Sequence, residues 1–165
     1  MKTSRWHIVA YVTVRFSGSS SQKGPRPRAI GRTKGRLNSK LHMVWDRLGR
    51  PLTFFLSLGQ MGNAKGALAL LSNLPPAKML LADNGYDADW FREALEDMGI
   101  AACIPARRGR KAPASHDRKL YRQRRRIENL FARLEDSRRI STRYDRCGEV
   151  FLSAICIAAR VMFWL

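Results

Sequence analysis

Between Leu120 and Tyr144 the sequence LYRQRRRIENLFARLEDSRRISTRY sets Glu128 among Arg122, Arg124, Arg125, Arg126 and Arg133. On a helix, spacings of three, four and seven bring side chains onto one stripe, so Tyr121, Arg124, Glu128 and Glu135 share a line. Leu120, Ile127, Leu130, Phe131 and Leu134 form the adjoining apolar face. Glu128 then lies at the margin of that face, where a carboxylate can point into a cleft. A second acid, Asp83, closes the apolar run Met79-Leu80-Leu81-Ala82 and precedes Asn84-Gly85. The carboxyl end of a strand is where α/β sheets place their sites. Together the two acids offer oxygen ligands to Mg²⁺ or Mn²⁺, hard ions that suit carboxylate and phosphate. Two such ions about 4 Å apart can activate an attacking oxygen and stabilise a leaving one. Each acid alone has a plainer reading: Glu128 as a salt-bridged residue among arginines, Asp83 as the turn acid of an Asp-Asn-Gly tripeptide. The residues leave both readings open.

The elements that would position these acids follow from pattern and punctuation. Leu41, Met43 and Trp45 alternate with Lys40, His42 and Val44, an imperfect strand pattern, and Asp46-Arg47-Leu48-Gly49 supplies a turn into a returning strand, Pro51 to Leu58. His42 reads as structural. Ala64 to Leu71 is expected to be helical and Pro75-Pro76 to stop it. Lys78 to Ala82 predicts a buried strand that delivers Asp83. Asp87 is a candidate N-cap for a helix through Met98, with Gly99 past its end. Ile100 to Ile104 predicts another strand, Ala106 to Ser115 a basic loop, and two helices should span about 116–137 and 149–164. This order implies an α/β fold with a mixed sheet flanked by helices.

Charge points to the partner. The 165 residues carry a formal net charge of +18, in two basic blocks, 1–45 and 106–143, flanking a near-neutral middle. That pattern suits a polyphosphate; a solvated basic surface is the alternative. Ser17 to Arg36, rich in Ser, Gly and Pro, cannot bury a core and reads as a mobile basic segment, with order beginning near Leu37. Cys103, Cys147 and Cys156 are odd in number and lack CxxC pairing, so reduced thiols, no zinc site and a cytoplasmic protein are expected. No signal peptide is expected in the mild apolar run from Ile8 to Val14. The apolar run Val150 to Leu165 contains Arg160 and falls short of the roughly 20 residues of a membrane span.

Four pieces of the sequence, in order, resemble the catalytic half of a bacterial insertion-sequence transposase of the DDE class: AIGRTKGRLNSKLHMVWDRLGRPL, LSLGQMGN, LADNGYDADWFREAL and YRQRRRIENLFARLEDSRRISTRYDR. The resemblance covers residues 29–165 and implies an RNase H-like core. It makes Asp83 the second catalytic acid and Glu128 the third, both metal ligands of a two-metal Mg²⁺ (or Mn²⁺) site. Metal-bound acids would activate water, then a DNA 3′-hydroxyl, for in-line attack on phosphodiesters. Tyr121 and Arg124 become DNA or phosphate contacts, with Arg122, Arg125, Lys40 and Arg32 as further cations on the backbone. Transposon-end DNA is the implied partner, with a homodimer, no membrane, and a nucleoid-associated location.

The sequence departs from that family in ways that matter. The family's first catalytic Asp lies on a strand upstream of Gly31, and this chain has no acid before Asp46, which belongs to the hairpin turn. The first strand is therefore expected to be missing or replaced. Residues 1–30 form a basic, disordered or non-family N-terminus, consistent with a truncated or frame-shifted start without the family's N-terminal DNA-binding region. Residues 31–165 form a partial catalytic domain. Glu135 stands where the family's signature has lysine, and Asn63 where an acid usually follows the Gly-Gln turn. A copy that binds DNA but is catalytically defective is the expectation. The rivals are a non-enzymatic basic DNA-binding protein and a metal-dependent nuclease on the same fold.

Overall fold

The computed structural model describes residues 6–17, 30–32, 37–141 and 147–165. Its strands are β1 (Trp6–Ser17), β2 (Gly31–Arg32), β3 (Leu37–Asp46), β4 (Pro51–Leu58), β5 (Ala77–Leu81) and β6 (Ala101–Cys103). Its α-helices are α1 (Asn63–Leu71), α2 (Asp89–Asp97), α3 (Arg118–Tyr121), α4 (Arg124–Glu135), α5 (Arg138–Ser141) and α6 (Gly148–Trp164), with one 3₁₀ turn at Asn84–Tyr86.

The sheet is mixed. β4 pairs antiparallel with β3, β3 antiparallel with β1, and β1 parallel with β5, which pairs parallel with β6. Short β2 adds to the start of β3. The hairpin turn between β3 and β4 is set by Asp46, whose Oδ1 accepts from Leu48 N and Arg50 N at 2.8 Å each, while Arg50 Nε reaches Oδ2 at 2.8 Å. Asp46 thus commits its carboxylate to the turn, as the sequence implied.

β1 corrects one expectation. Order does not begin near Leu37, and the boundary near residue 30 does not divide the structure, because the central strand of the sheet is Trp6–Ser17. Its even positions, Trp6, Ile8, Ala10, Val12, Val14 and Phe16, are all apolar. That period of two fits a pleated strand, and Phe16 is buried in the core. This strand contains no Asp or Glu. Of the Ser17–Arg36 segment, residues 18–29 and 33–36 lie outside the described residues.

Alternation along the strands feeds two cores. On one face Leu41, Met43, Trp45, Leu81 and Cys103 pack with Phe131 and Leu134 of α4, Ile140 of α5, and Phe151, Ile155 and Ala159 of α6. On the other, Val44, Leu80 and Ala82 pack with Ala67 of α1 and with Tyr86, Phe91 and Leu95. His42 lies on this second side, fully buried, with Nε2 2.8 Å from Ser57 Oγ. A Cβ at Gly66 would come within 2.1 Å of the His42 ring, so α1 approaches the hairpin only because residue 66 has no side chain. Burial, and secondarily Lys40, push the His42 imidazole down to about 4. It is a neutral structural histidine at physiological pH.

The helix expected over 116–137 is interrupted. Gln123 N and Arg125 N bond to the carbonyls of Leu120 and Arg122, three residues back, which tightens one turn between α3 and α4. Asp117 begins α3 by accepting from Lys119 N and Leu120 N. Among the described residues no helix is long and apolar enough to cross a membrane.

Candidate active site

Asp83 leaves β5 in extended conformation and caps the 3₁₀ turn, its Oδ1 accepting from Gly85 N at 2.7 Å. This fixes one oxygen and leaves Oδ2 facing α4. There Arg124 Nη2 stands 3.6 Å from Asp83 Oδ2, and Arg124 Nη1 stands 3.1 Å from Glu128 Oε1. The two acids singled out in the sequence therefore converge on a single guanidinium. Arg124 is held by more than charge: Nη1 donates to Tyr121 Oη at 3.2 Å, and the guanidinium lies 5.9 Å from the Tyr121 ring centre. Its side chain is only 15% exposed, and its buried Nε has no hydrogen-bond partner among the described residues. The tightened turn between α3 and α4 keeps Tyr121, Arg124 and Glu128 on one face, as their spacing implied.

The remaining expected residues separate into groups. Arg122 and Arg125 are exposed. Arg32 lies on β2, and its side chain is outside the described residues. Lys40 is 5% exposed, and its Nζ donates to the Met61 carbonyl and, at 3.1 Å, to Asn63 Oδ1. A side chain so buried supports the loop after β4. Asn63 in turn stands beside the Asp83 turn: a Cβ at Gly85 would come within 2.7 Å of Asn63 Nδ2 and 2.8 Å of Asp83 Oδ1. A side chain at residue 85 would have to displace one of these two groups.

Sequence reasoning missed Asp87. It does not cap α2, whose N-cap is Ala88. Its carboxylate is instead buried and gathers Arg92, Arg110 and the Arg107 amide.

Among the described residues no three His, Cys, Asp or Glu side chains group as a metal site. Asp83 and Glu128 are a pair, 26% and 51% exposed. Two carboxylates completed by water and phosphate are a donor set that fits one Mg²⁺ or Mn²⁺; they are too few to bridge two. On the backbone, Trp6 of β1 pairs with Ala77 and Ala10 with Leu81, two residues before Asp83.

The profile of the Transposase DDE domain family matches residues 80–165. A Brucella ovis protein named as the transposase for insertion sequence element IS6501 is 32% identical over 130 residues, covering 78% of this chain and 99% of the relative. A Burkholderia cepacia protein named for insertion sequence element IS402 is 28% identical over 152 residues, covering 86% of this chain and 68% of the relative. Among solved structures, the catalytic core domain of BIV integrase aligns with a TM-score of 0.54 and 13% identity, over 95% of this chain and 83% of that one. A simian T-cell lymphotropic virus intasome chain aligns with the same TM-score over 95% of this chain and 48% of its own length. At such identities the likeness concerns fold alone, and the fold is that of an RNase H-like core. The chain belongs to the bacterial insertion-sequence transposases of the DDE class.

Proposed function

We propose that this chain is a DNA-binding transposase core whose strand-transfer chemistry is lost because its first strand supplies no acid. The observation that carries the reading is the convergence of Asp83 and Glu128 on Arg124 beside a central strand without Asp or Glu. Asp83 and Glu128 would hold one divalent cation. Such an ion, when bound, polarises a phosphodiester oxygen and makes water a stronger acid. The chain's own residues do the rest: Arg124, steadied by Tyr121, neutralises the acid pair until an ion or phosphate arrives, and exposed Arg122 and Arg125 meet the DNA backbone. Removing one of three acidic ligands leaves too little negative charge to hold a second ion where charge develops in the transition state.

The test uses DNA carrying terminal inverted repeats, with Mg²⁺ or Mn²⁺. Salt-sensitive binding without cleavage or joining is expected. Metal-dependent nicking lost in Asp83→Ala would overturn the inactive reading, and absence of DNA binding would overturn the whole. Nicking without joined products would instead favour a nuclease. A second reading, a basic DNA-binding protein that takes no metal, is favoured by Arg124 already standing between the carboxylates. It predicts binding indifferent to Mg²⁺ and to both acids.

A further inference from the structure

Asp87 is buried, with its side chain wholly out of solvent. Its Oδ1 accepts from Arg92 Nε and Arg110 Nη1, each at 2.9 Å, and its Oδ2 accepts from the backbone amide of Arg107 at 2.8 Å. Arg110 also reaches Asp89. Burial pushes the Asp87 carboxyl up, but the Arg107 amide, Arg92 and Arg110 outweigh it and hold the group below the usual carboxylate range. A carboxylate this well partnered fixes what it touches.

Its partners lead in two directions. Arg92 Nη2 continues to the Ile104 carbonyl at 2.8 Å, which ties α2 to the end of β6 and serves the fold. Arg107 leads elsewhere. Its Nε donates to the Asn84 carbonyl at 3.2 Å and its Nη2 to the Gly85 carbonyl at 3.1 Å. Gly85 N then donates to Asp83 Oδ1. Hydrogen bonds therefore run without a gap from buried Asp87 through Arg107 and the Asn84-Gly85 peptide to the Asp83 carboxylate. The planar guanidinium fork spans two adjacent carbonyls at once, which a single ammonium does not match.

We propose that Asp87 and Arg107 are positioning residues for Asp83, fixing the turn that presents its Oδ2 toward Glu128. The proposal rests on the reading of Asp83 as a cation ligand. Arg107 is exposed, so trimming it removes the link without opening a hole in the core. Arg107→Ala is therefore the principal variant, with Arg107→Lys as the conservative one and Asp87→Asn, which is at risk of misfolding, as a supplement.

Two readouts apply: amide exchange at Gly85 by NMR and Mn²⁺ affinity by titration. In Arg107→Ala, Gly85 exchange should quicken about tenfold, as expected for losing two charge-assisted hydrogen bonds. Amides of β3 and β4 should be unchanged, Mn²⁺ should bind several-fold more weakly, and Arg107→Lys should lie between. Unchanged Gly85 exchange would overturn the proposal. Faster exchange with unchanged Mn²⁺ affinity would overturn it too, since Asp83 would then not depend on the link. Should the wild-type protein bind no Mn²⁺, the cation reading fails on its own, and Gly85 exchange alone decides the positioning.

Discussion

Arg124 stands where a divalent cation would have to sit, and replacing it separates two roles that the geometry joins. Arg124→Gln keeps most of the side chain's length and a donor for Tyr121 Oη but removes the charge held at 3.1 Å from Glu128 and 3.6 Å from Asp83. Partly exposed ion pairs contribute about 0.2–1 kcal/mol each. With Glu128 half exposed, the two contacts together should amount to roughly 0.4–2 kcal/mol that an entering ion must displace. Converted to affinity, Mn²⁺ should bind about two- to thirtyfold more tightly in Arg124→Gln than in the wild type. Titration followed by electron paramagnetic resonance of free Mn²⁺ measures this directly, and the gain should shrink as salt is raised. DNA affinity should move the other way, with its salt dependence lowered by about one counterion. Unchanged or weaker Mn²⁺ binding would refute the reasoning, because Arg124 would then be supporting the acids and not competing for them.

Other perturbations test other parts of the account. Glu135→Lys exchanges an acid for a cation at an exposed position of α4, so DNA binding should tighten and its logarithmic salt slope steepen; an unchanged slope would remove this position from the DNA interface. Val12→Asp places a carboxylate on the central strand two residues beyond Ala10, the partner of Leu81, and metal-dependent nicking of inverted-repeat DNA should appear. A well-folded Val12→Asp protein that takes up Mn²⁺ but never cuts would show that the defect lies elsewhere. His42 titrates near 6.5 when unfolded and at about 4 in the fold, so the unfolded chain binds its proton first. Stability should fall by up to about 3 kcal/mol as pH drops from 6.5 to 4 and be flat for this group above 7. Denaturant unfolding of His42→Gln should lack that slope.

Much of this was legible in the residues. The β3–β4 hairpin, the strand that delivers Asp83 and the helix bearing Glu128 all carry periodic patterns, imperfect in β3, bounded by turn residues. A shared site for the two acids was implied by the family resemblance. Three features were hidden for physical reasons. β1 lies in a basic, acid-free start where Tyr11 and Thr13 dilute the apolar run, and only its pairing with β3 and β5 reveals a central strand. Lys40 looked like a surface cation because lysine nearly always is one; its burial depends on acceptors supplied by the loop after β4, about 20 residues away in sequence. Asp87 was read as a helix cap because Asp at a helix start usually caps. Its true partners, Arg107 and Arg110, come from beyond the next strand, a long-range pairing that local pattern does not encode.

The central claim is that Asp83 and Glu128 together form one hard-cation site. Mn²⁺ titration of the wild-type protein beside Asp83→Asn and Glu128→Gln addresses it most directly. One ion per chain in the wild type, lost or strongly weakened in both variants, is the predicted result. An ion that persists when either carboxylate is neutralised, or no ion at all, would contradict it.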